Sequence, residues 1–155
     1  MANKKVVLAY SGGLDTSYCV LYLQERGFDV ITVSVDTGGF SSEELIENAE
    51  RARTLGAVEH HTVNGCQEVF DSYVSYLIKG NVLRGHVYPL AVAAERVVQA
   101  SIVARHALEV RADAIAHGST GAGNDQVRFD VVFEVLCPDV EIITPVRDER
   151  LSRDE

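Results

Sequence analysis

Five short apolar runs alternate with helical patterns along this chain, and this alternation limits the folds open to it. The runs are nearly continuous in Val, Ile, Leu and Ala, which is typical of strands buried in a parallel sheet. They are predicted at residues 6–10, 30–35, 58–63, 112–116 and 140–143. Helices are predicted between them at residues 15–26, 42–54, 67–78, 90–110 and 125–136. The pattern predicts an α/β fold, a doubly wound parallel sheet of about five strands with helices on both faces.

The loop after the first predicted strand has the composition of a phosphate-binding turn. Gly12 and Gly13 permit a sharp turn and let a ligand approach the backbone closely. Ser11, Thr16 and Ser17 bring hydroxyl groups to the same point, and the free N–H groups of the next helix complete an anion site. We therefore expect the loop to bind phosphate. An ordinary strand-to-helix turn with a capping side chain is the alternative.

This loop differs from the two best-known phosphate loops. A Walker A loop needs a lysine after its last glycine, but no lysine occurs between Lys5 and Lys79. A dinucleotide-binding fingerprint needs G-x-G-x-x-G, whereas the two glycines here are adjacent, although Asp36 does follow the next predicted strand. Both of those interpretations are weakened.

A second glycine-rich loop follows the fourth predicted strand and leads into a helix. Asp125 can pair with an ammonium group, and Arg128 can hold a carboxylate through two parallel hydrogen bonds. Asn124 lies four residues before Arg128 and therefore on the same helical face. This set suits a zwitterionic amino acid. A glycine turn with Asn124 or Asp125 as the N-cap and a solvated Arg128 is the alternative.

Charge and composition limit the partners of the chain. It has 14 Lys and Arg against 23 Asp and Glu, a formal net charge of −9, whereas nucleic-acid binding needs clustered cations. No apolar run approaches the length of about 18 residues that a membrane-spanning helix needs. The three cysteines show no metal-binding spacing. We therefore expect no nucleic acid, no membrane segment and no resident metal.

Taken together, the two glycine loops resemble the argininosuccinate synthase family of ATP pyrophosphatases. Residues 11–17, Ser-Gly-Gly-Leu-Asp-Thr-Ser, resemble the pyrophosphate loop (PP-loop) of that class, and residues 117–129 resemble the family's second signature. The resemblance implies a Rossmann-like fold of the adenine nucleotide alpha hydrolase type. It also implies ligation of citrulline and aspartate in arginine biosynthesis, with release of AMP and pyrophosphate. ATP would be a substrate carrying Mg²⁺, and the enzyme a cytoplasmic homotetramer when full length.

The resemblance also implies roles for single residues. Contacts with ATP are implied for Ala9, Tyr10, Ser11, Gly12, Gly13, Leu14, Asp15, Thr16, Ser17, Val35 and Gly118. Contacts with citrulline or aspartate are implied for Tyr88, Thr120, Asn124, Asp125 and Arg128. Asp15, which can meet the metal, and Arg96, near the nucleotide, are the catalytic candidates. Without the resemblance, Asp15 is a helix-start carboxylate, Val35 a core residue, Tyr88 a packing residue and Arg96 a surface charge.

The chain also departs from the family pattern. Ala122 stands where the family commonly has Lys, Asp130 where it has Glu, and Ala93 at a serine that contacts citrulline. These changes remove a cation and a hydrogen-bond donor from the implied site. Two alternatives to this function are a non-catalytic adenine-nucleotide binding module and another PP-loop ATP pyrophosphatase, such as a tRNA-modifying enzyme.

The end of the chain predicts a further domain. Residues 1–150 are expected to form the ATP-binding domain. Ser152 and Glu155 form an S-x-x-E capping box, which opens a helix. Given the resemblance, we interpret residues 151–155 as the start of a missing C-terminal synthetase domain, and we expect the fragment alone to be inactive. A frayed acidic tail is the alternative.

Overall fold

The computed structural model describes residues 3–150, which form seven strands, seven α-helices and one π-helical turn. In chain order they are β1 (Lys4–Ala9), α1 (Leu14–Glu25), β2 (Phe28–Asp36), α2 (Ser42–Thr54), β3 (Glu59–Asn64), α3 (Cys66–Val69), the π-helical turn (Phe70–Val74), α4 (Ser75–Lys79), β4 (Leu83–Arg84), β5 (Tyr88–Pro89), α5 (Ala91–Glu109), β6 (Ala114–Ala116), α6 (Asp125–Leu136), β7 (Glu141–Ile143) and α7 (Pro145–Asp148). Within this part of the chain, no helix has both the length and the apolar character needed to cross a membrane.

The central sheet has five parallel strands in the order β3-β2-β1-β6-β7. Val6 of β1 pairs with Val30 of β2 on one side and with Ala114 of β6 on the other. The chain therefore winds outward from β1 to one edge, returns to β6, and winds outward to the other edge. In sheets of this kind, ligands bind beyond the carboxyl ends of the strands where the winding direction reverses. That point lies between β1 and β6.

Helices cover both faces of the sheet and build two apolar layers. On one face, Val98 of α5 and Phe133 of α6 pack in one cluster with Val7 of β1. On the other face, the cluster contains Leu23 of α1 together with residues of α2 and α7. The predicted doubly wound α/β fold is confirmed.

Most predicted elements are present, with three differences. The strand predicted as buried at residues 58–63 is wrong in its burial, because β3 is an edge strand paired only with β2, and its residues are exposed or half-buried. The helix predicted at residues 67–78 is interrupted by the π-helical turn. The β4–β5 hairpin and α7 were not predicted, because elements of two to four residues are too short to show periodicity. The capping box at Ser152 lies outside the described residues.

Helices α1 and α2 both begin at residues that favour the start of a helix. At α2, Ser41 Oγ accepts a hydrogen bond from Glu44 N at 3.2 Å, and Ser41 N donates to Glu44 Oε2 at 2.8 Å, which completes a capping box. At α1, Gly13 is the N-cap and Asp15 lies in the first turn, where a negative charge is favourable.

Candidate functional site

A cleft of about 500 Å³ opens at the carboxyl ends of β1, β2 and β6, where the winding of the sheet reverses. Its wall contains ten of the residues that the sequence singled out: Ala9, Tyr10, Ser11, Asp15, Thr16, Val35, Arg96, Gly118, Thr120 and Asp125. Val33, Val103 and Phe129 add apolar surface to the same wall. The two glycine loops therefore meet in one cleft, as their positions after β1 and β6 predict.

The first glycine loop is held together by the hydroxyl group of Thr16. Thr16 Oγ1 donates to the Gly13 carbonyl at 3.2 Å and accepts from Ser11 N at 3.4 Å. It also lies 3.3 Å from Ser11 Oγ. Thr16 is buried, whereas Ser11 is exposed at the cleft. Thr16 thus holds the loop together from its buried side, and Ser11 is the hydroxyl-bearing residue of the pair that is exposed at the cleft.

Helix α2 supports this loop, a role that the sequence analysis missed. Gly12 is buried with a φ of +76°, and a Cβ atom in its place would lie 1.7 Å from Asn48 Oδ1. Arg51 Nη1 donates a hydrogen bond to the Gly12 carbonyl. The one available signal was Asn48, a polar residue that lies four positions before the buried Ala52 on the inner face of α2.

The second glycine loop packs closely against the first. A Cβ atom at Gly118 would lie 3.2 Å from Thr16 Cγ2, which leaves little room for a side chain there. Next to it, His117 Nδ1 accepts a hydrogen bond from Ser119 N at 3.2 Å. The proton of the ring therefore sits on Nε2, which donates to Asp130 Oδ1 at 2.9 Å. Burial lowers the pKa of His117, which agrees with a neutral imidazole.

Arg147 of α7 completes a polar network behind the second loop. It donates to both carboxylate oxygens of Asp130 and, at 3.2 Å, to Gln126 Oε1. Burial tends to raise the pKa of Asp130, but the hydrogen bonds from Arg147 and His117 outweigh it, and the pKa is lowered. Gln126 Nε2 donates in turn to the Gly121 carbonyl at 2.6 Å. The network fixes the loop to α6 and α7.

Asp125 lies between two arginines. Arg96 Nε donates to Asp125 Oδ2 at 3.3 Å, and Arg128 Nη1 donates to Asp125 Oδ1 at 2.7 Å. Asp125 and Arg128, which were expected to hold opposite ends of an amino acid, are thus paired with each other. Their side chains are 48% and 28% exposed, so a ligand can reach both partners of the pair.

A second cleft, of about 690 Å³, adjoins the first and shares Ala122 and Asp125 with it. It brings together Asn124, Asp125 and Arg128, as expected. Asn124 occupies the N-cap position of α6, but its side chain makes no capping hydrogen bond. Ala93 and Ala122 also line this cleft. Two of the three departures from the family pattern therefore lie in the same cleft.

Four further predicted site residues lie outside both cleft walls as the described residues form them. Gly12, Gly13, Leu14 and Ser17 belong to the first loop or the first turn of α1, and the Leu14 side chain is 73% exposed. Tyr88 lies in β5, and its side chain is outside the described part of the structure.

The sheet order, with a Ser-Gly-Gly loop at the point where the winding reverses, defines a Rossmann-like α/β domain. A 4-thiouridine synthetase solved as a complex with RNA and bound ATP has the same fold, with a TM-score of 0.70 and 19% identity. The match covers 94% of this chain and 37% of that one.

Sequence comparison identifies the family. The family model described as "Arginosuccinate synthase N-terminal HUP domain" matches residues 5–155. The argininosuccinate synthase of Hyperthermus butylicus is 50% identical over 96% of this chain, and that of Lactococcus lactis subsp. cremoris is 44% identical over all of it. The chain belongs to the argininosuccinate synthase family. It spans 37% and 38% of the length of these two relatives.

Proposed function

We propose that this chain is the ATP-binding domain of an argininosuccinate synthase, which ligates citrulline and aspartate and releases AMP and pyrophosphate. The observation that carries the proposal is the contact between the two glycine loops in one cleft, where a Cβ atom at Gly118 would lie 3.2 Å from Thr16 Cγ2. The phosphate loop and the amino-acid loop thus share a wall. A reaction between a nucleotide and an amino acid needs this proximity.

In this mechanism the ureido oxygen of citrulline attacks the α-phosphorus of ATP, and pyrophosphate leaves. The amine of aspartate then attacks the activated carbon, and AMP leaves. Negative charge grows on the departing pyrophosphate. We expect the hydroxyl of Ser11 and the N–H groups in the first turn of α1, where Asp15 and Thr16 line the cleft, to stabilise that charge. The apolar wall at Val35 suits the adenine base.

An amino acid bound in the second cleft would separate the ion pair between Asp125 and Arg128 and pair with each of the two residues itself. Its ammonium group would take the place of Arg128 at Asp125, and its carboxylate would take the place of Asp125 at Arg128. Two hydrogen-bonded ion pairs would replace one, and Arg96 would continue to hold Asp125 from the other side. The position of Asn124 in this cleft lets it donate to or accept from the same ligand.

The residues at the first cleft fit a magnesium ion carried by the nucleotide. Mg²⁺ usually takes one or two carboxylates together with substrate phosphates and water. Asp15 lines the cleft beside the phosphate loop, and within residues 3–150 no group of three or more His, Cys, Asp or Glu side chains is placed to hold a metal. When bound, the ion would neutralise phosphate charge. Asp15 is the carboxylate that we expect to contact it.

A calorimetric titration with MgATP tests the nucleotide site. The chain should bind MgATP, and Asp15→Ala should weaken binding because a carboxylate near the metal is lost. Asp139→Ala is the matched control. Asp139 is exposed in the turn before β7, at the amino ends of the strands, whereas the cleft lies at their carboxyl ends. Equal affinity for the two variants would argue against the role of Asp15, and no binding by the unchanged chain would overturn the proposal.

A non-catalytic adenine-nucleotide module is the second candidate function. The methyl groups of Ala93 and Ala122 favour it, because they line the second cleft where the family pattern has a donor and a cation. A chimera that replaces the matched segment of the Hyperthermus butylicus relative with this chain separates the two. ATP–pyrophosphate exchange that depends on citrulline supports the ligase. Nucleotide binding without exchange supports the module.

A further inference from the structure

An arginine from another element, Arg51 of α2, donates a hydrogen bond to the backbone of the phosphate loop, and nothing in the sequence of the loop predicts this contact. We propose that Arg51 of α2 is a positioning residue for this loop, which fixes the peptide between Gly12 and Gly13 so that its N–H group is available to phosphate. The inference rests on the proposed function, because it takes the loop to hold the phosphates of ATP.

The hydrogen bond from Arg51 Nη1 to the Gly12 carbonyl sets the orientation of one peptide plane. In a trans peptide the carbonyl and the N–H group point in opposite directions, and the described chain has no cis peptide bond. Arg51 draws the carbonyl toward α2, so the Gly13 N–H group must point away from α2. Gly12 is buried on the side of α2, whereas Gly13, although not part of the cleft wall, is exposed and lies in the same loop as Ser11, which lines the cleft.

A peptide between two glycines needs such a restraint. Neither Gly12 nor Gly13 has a Cβ atom, so rotation of the peptide between them meets little steric resistance. The reversed orientation would present a carbonyl oxygen to the phosphates and repel them. A donor that is oriented before binding costs less free energy to use than one that must be ordered by the ligand.

Helix α2 gives Arg51 a fixed place from which to act. Asn48 is three residues earlier, on the same face of the helix, and a Cβ atom at Gly12 would lie 1.7 Å from its Oδ1 atom. The capping box of Ser41 and Glu44 secures the start of the same helix. The Arg51 guanidinium also places a positive charge next to the proposed phosphate site. This local charge matters because the chain as a whole has a formal net charge of −9.

The test is calorimetry with three probes: MgATP, inorganic pyrophosphate and adenosine. Arg51→Ala should weaken binding of MgATP and pyrophosphate about tenfold, the loss typical of a hydrogen bond to a charged group. Binding of adenosine should not change, because adenosine has no phosphate. Arg53→Ala removes the same charge from the same helix at an exposed position and should bind all three probes like the unchanged chain.

Two further measurements separate positioning from a general structural role. Thermal unfolding of Arg51→Ala establishes that the variant is folded at the temperature of the titration. Arg51→Lys keeps a charged donor and should recover part of the affinity for pyrophosphate. The inference is overturned if folded Arg51→Ala binds the probes as tightly as Arg53→Ala does. It is also overturned if Arg51→Ala loses affinity for adenosine and for MgATP to the same extent. If the unchanged chain binds none of the probes, the proposed function fails and the inference with it.

Discussion

Gly12 is the residue at which backbone conformation and packing both exclude a side chain. Its φ is +76°, and Asn48 occupies the space that a methyl group would need. We expect Gly12→Ala to lower the free energy of unfolding by about 3 kcal/mol, from left-handed strain and overpacking together. Urea denaturation measures the loss.

A double-mutant cycle divides that loss into its two causes. In an Asn48→Ala background the clash is absent, and only the backbone strain of about 1 kcal/mol remains. Gly12→Ala should therefore cost less in that background than in the unchanged chain. Equal costs in both backgrounds would mean that Asn48 does not restrict Gly12.

His117 makes stability depend on pH. Its pKa in the folded chain is lowered by burial below the value of about 6.5 expected for the unfolded chain. Between the two values the unfolded chain binds more protons, so the free energy of unfolding falls as the pH drops through this window. Below both values the contribution is lost. The pKa of Asp130 is also lowered in the folded chain, so Asp130 likewise lowers the free energy of unfolding as the pH falls, but only below about pH 4.

The variant His117→Asn tests this dependence. It cannot titrate, so the free energy of unfolding should fall less between about pH 7.5 and pH 5.5 than in the unchanged chain. Burial also lowers the pKa of His60 and His106, so part of the dependence will persist, and the comparison is the difference between the two slopes. Identical slopes would show that His117 does not contribute. Urea midpoints at several pH values supply the data.

At the scale of elements, α2 is capped by Ser41 at its start and contacts the phosphate loop through Asn48 and Arg51. Ser41→Ala removes the capping hydrogen bond and should lower the free energy of unfolding by about 1 kcal/mol. Ser42→Ala, one residue later and outside the capping box, is the control and should change it by less than about 0.5 kcal/mol. Equal effects in urea denaturation would contradict the role of the box.

Elements with long periodic patterns could be predicted, and contacts between elements could not. The helices at residues 42–54 and 125–136 have the bounds that the sequence predicts, because capping residues and Pro138 mark their ends. The π-helical turn interrupts a helix without any local signal. Arg51 and Arg147 reach the two loops from other elements, and only the tertiary arrangement shows which backbone or carboxylate each one binds.

The same limit applies to the candidate site. The two glycine loops could be located, because each follows a strand of a parallel sheet. The pairing of Asp125 with Arg128 could not, since a sequence shows that two charges lie on one helix face but not that they bind each other rather than a ligand. The sequence therefore identified the residues of the second cleft without their partners.

At the scale of the whole molecule, an acidic chain has a cleft suited to an anion. The formal charge is −9, yet arginines stand at the points where negative ligands are proposed to bind: Arg51 behind the phosphate loop, and Arg96 and Arg128 beside Asp125. Binding of a small anion depends on such local charges and on the oriented backbone. Binding of a long polyanion depends also on the field of the whole surface.

That distinction predicts how the chain treats tRNA, the substrate class of the tRNA-modifying alternative. We expect no retention of tRNA in a filter-binding assay at about 0.1 M salt, because a polyanion meets a surface with more carboxylates than cations. MgATP should still bind under the same conditions. Retention of tRNA that falls steeply with added salt would instead reveal a basic surface and favour the alternative. Because the fold is shared with a synthetase solved with RNA, the surface charge and not the fold decides between these outcomes.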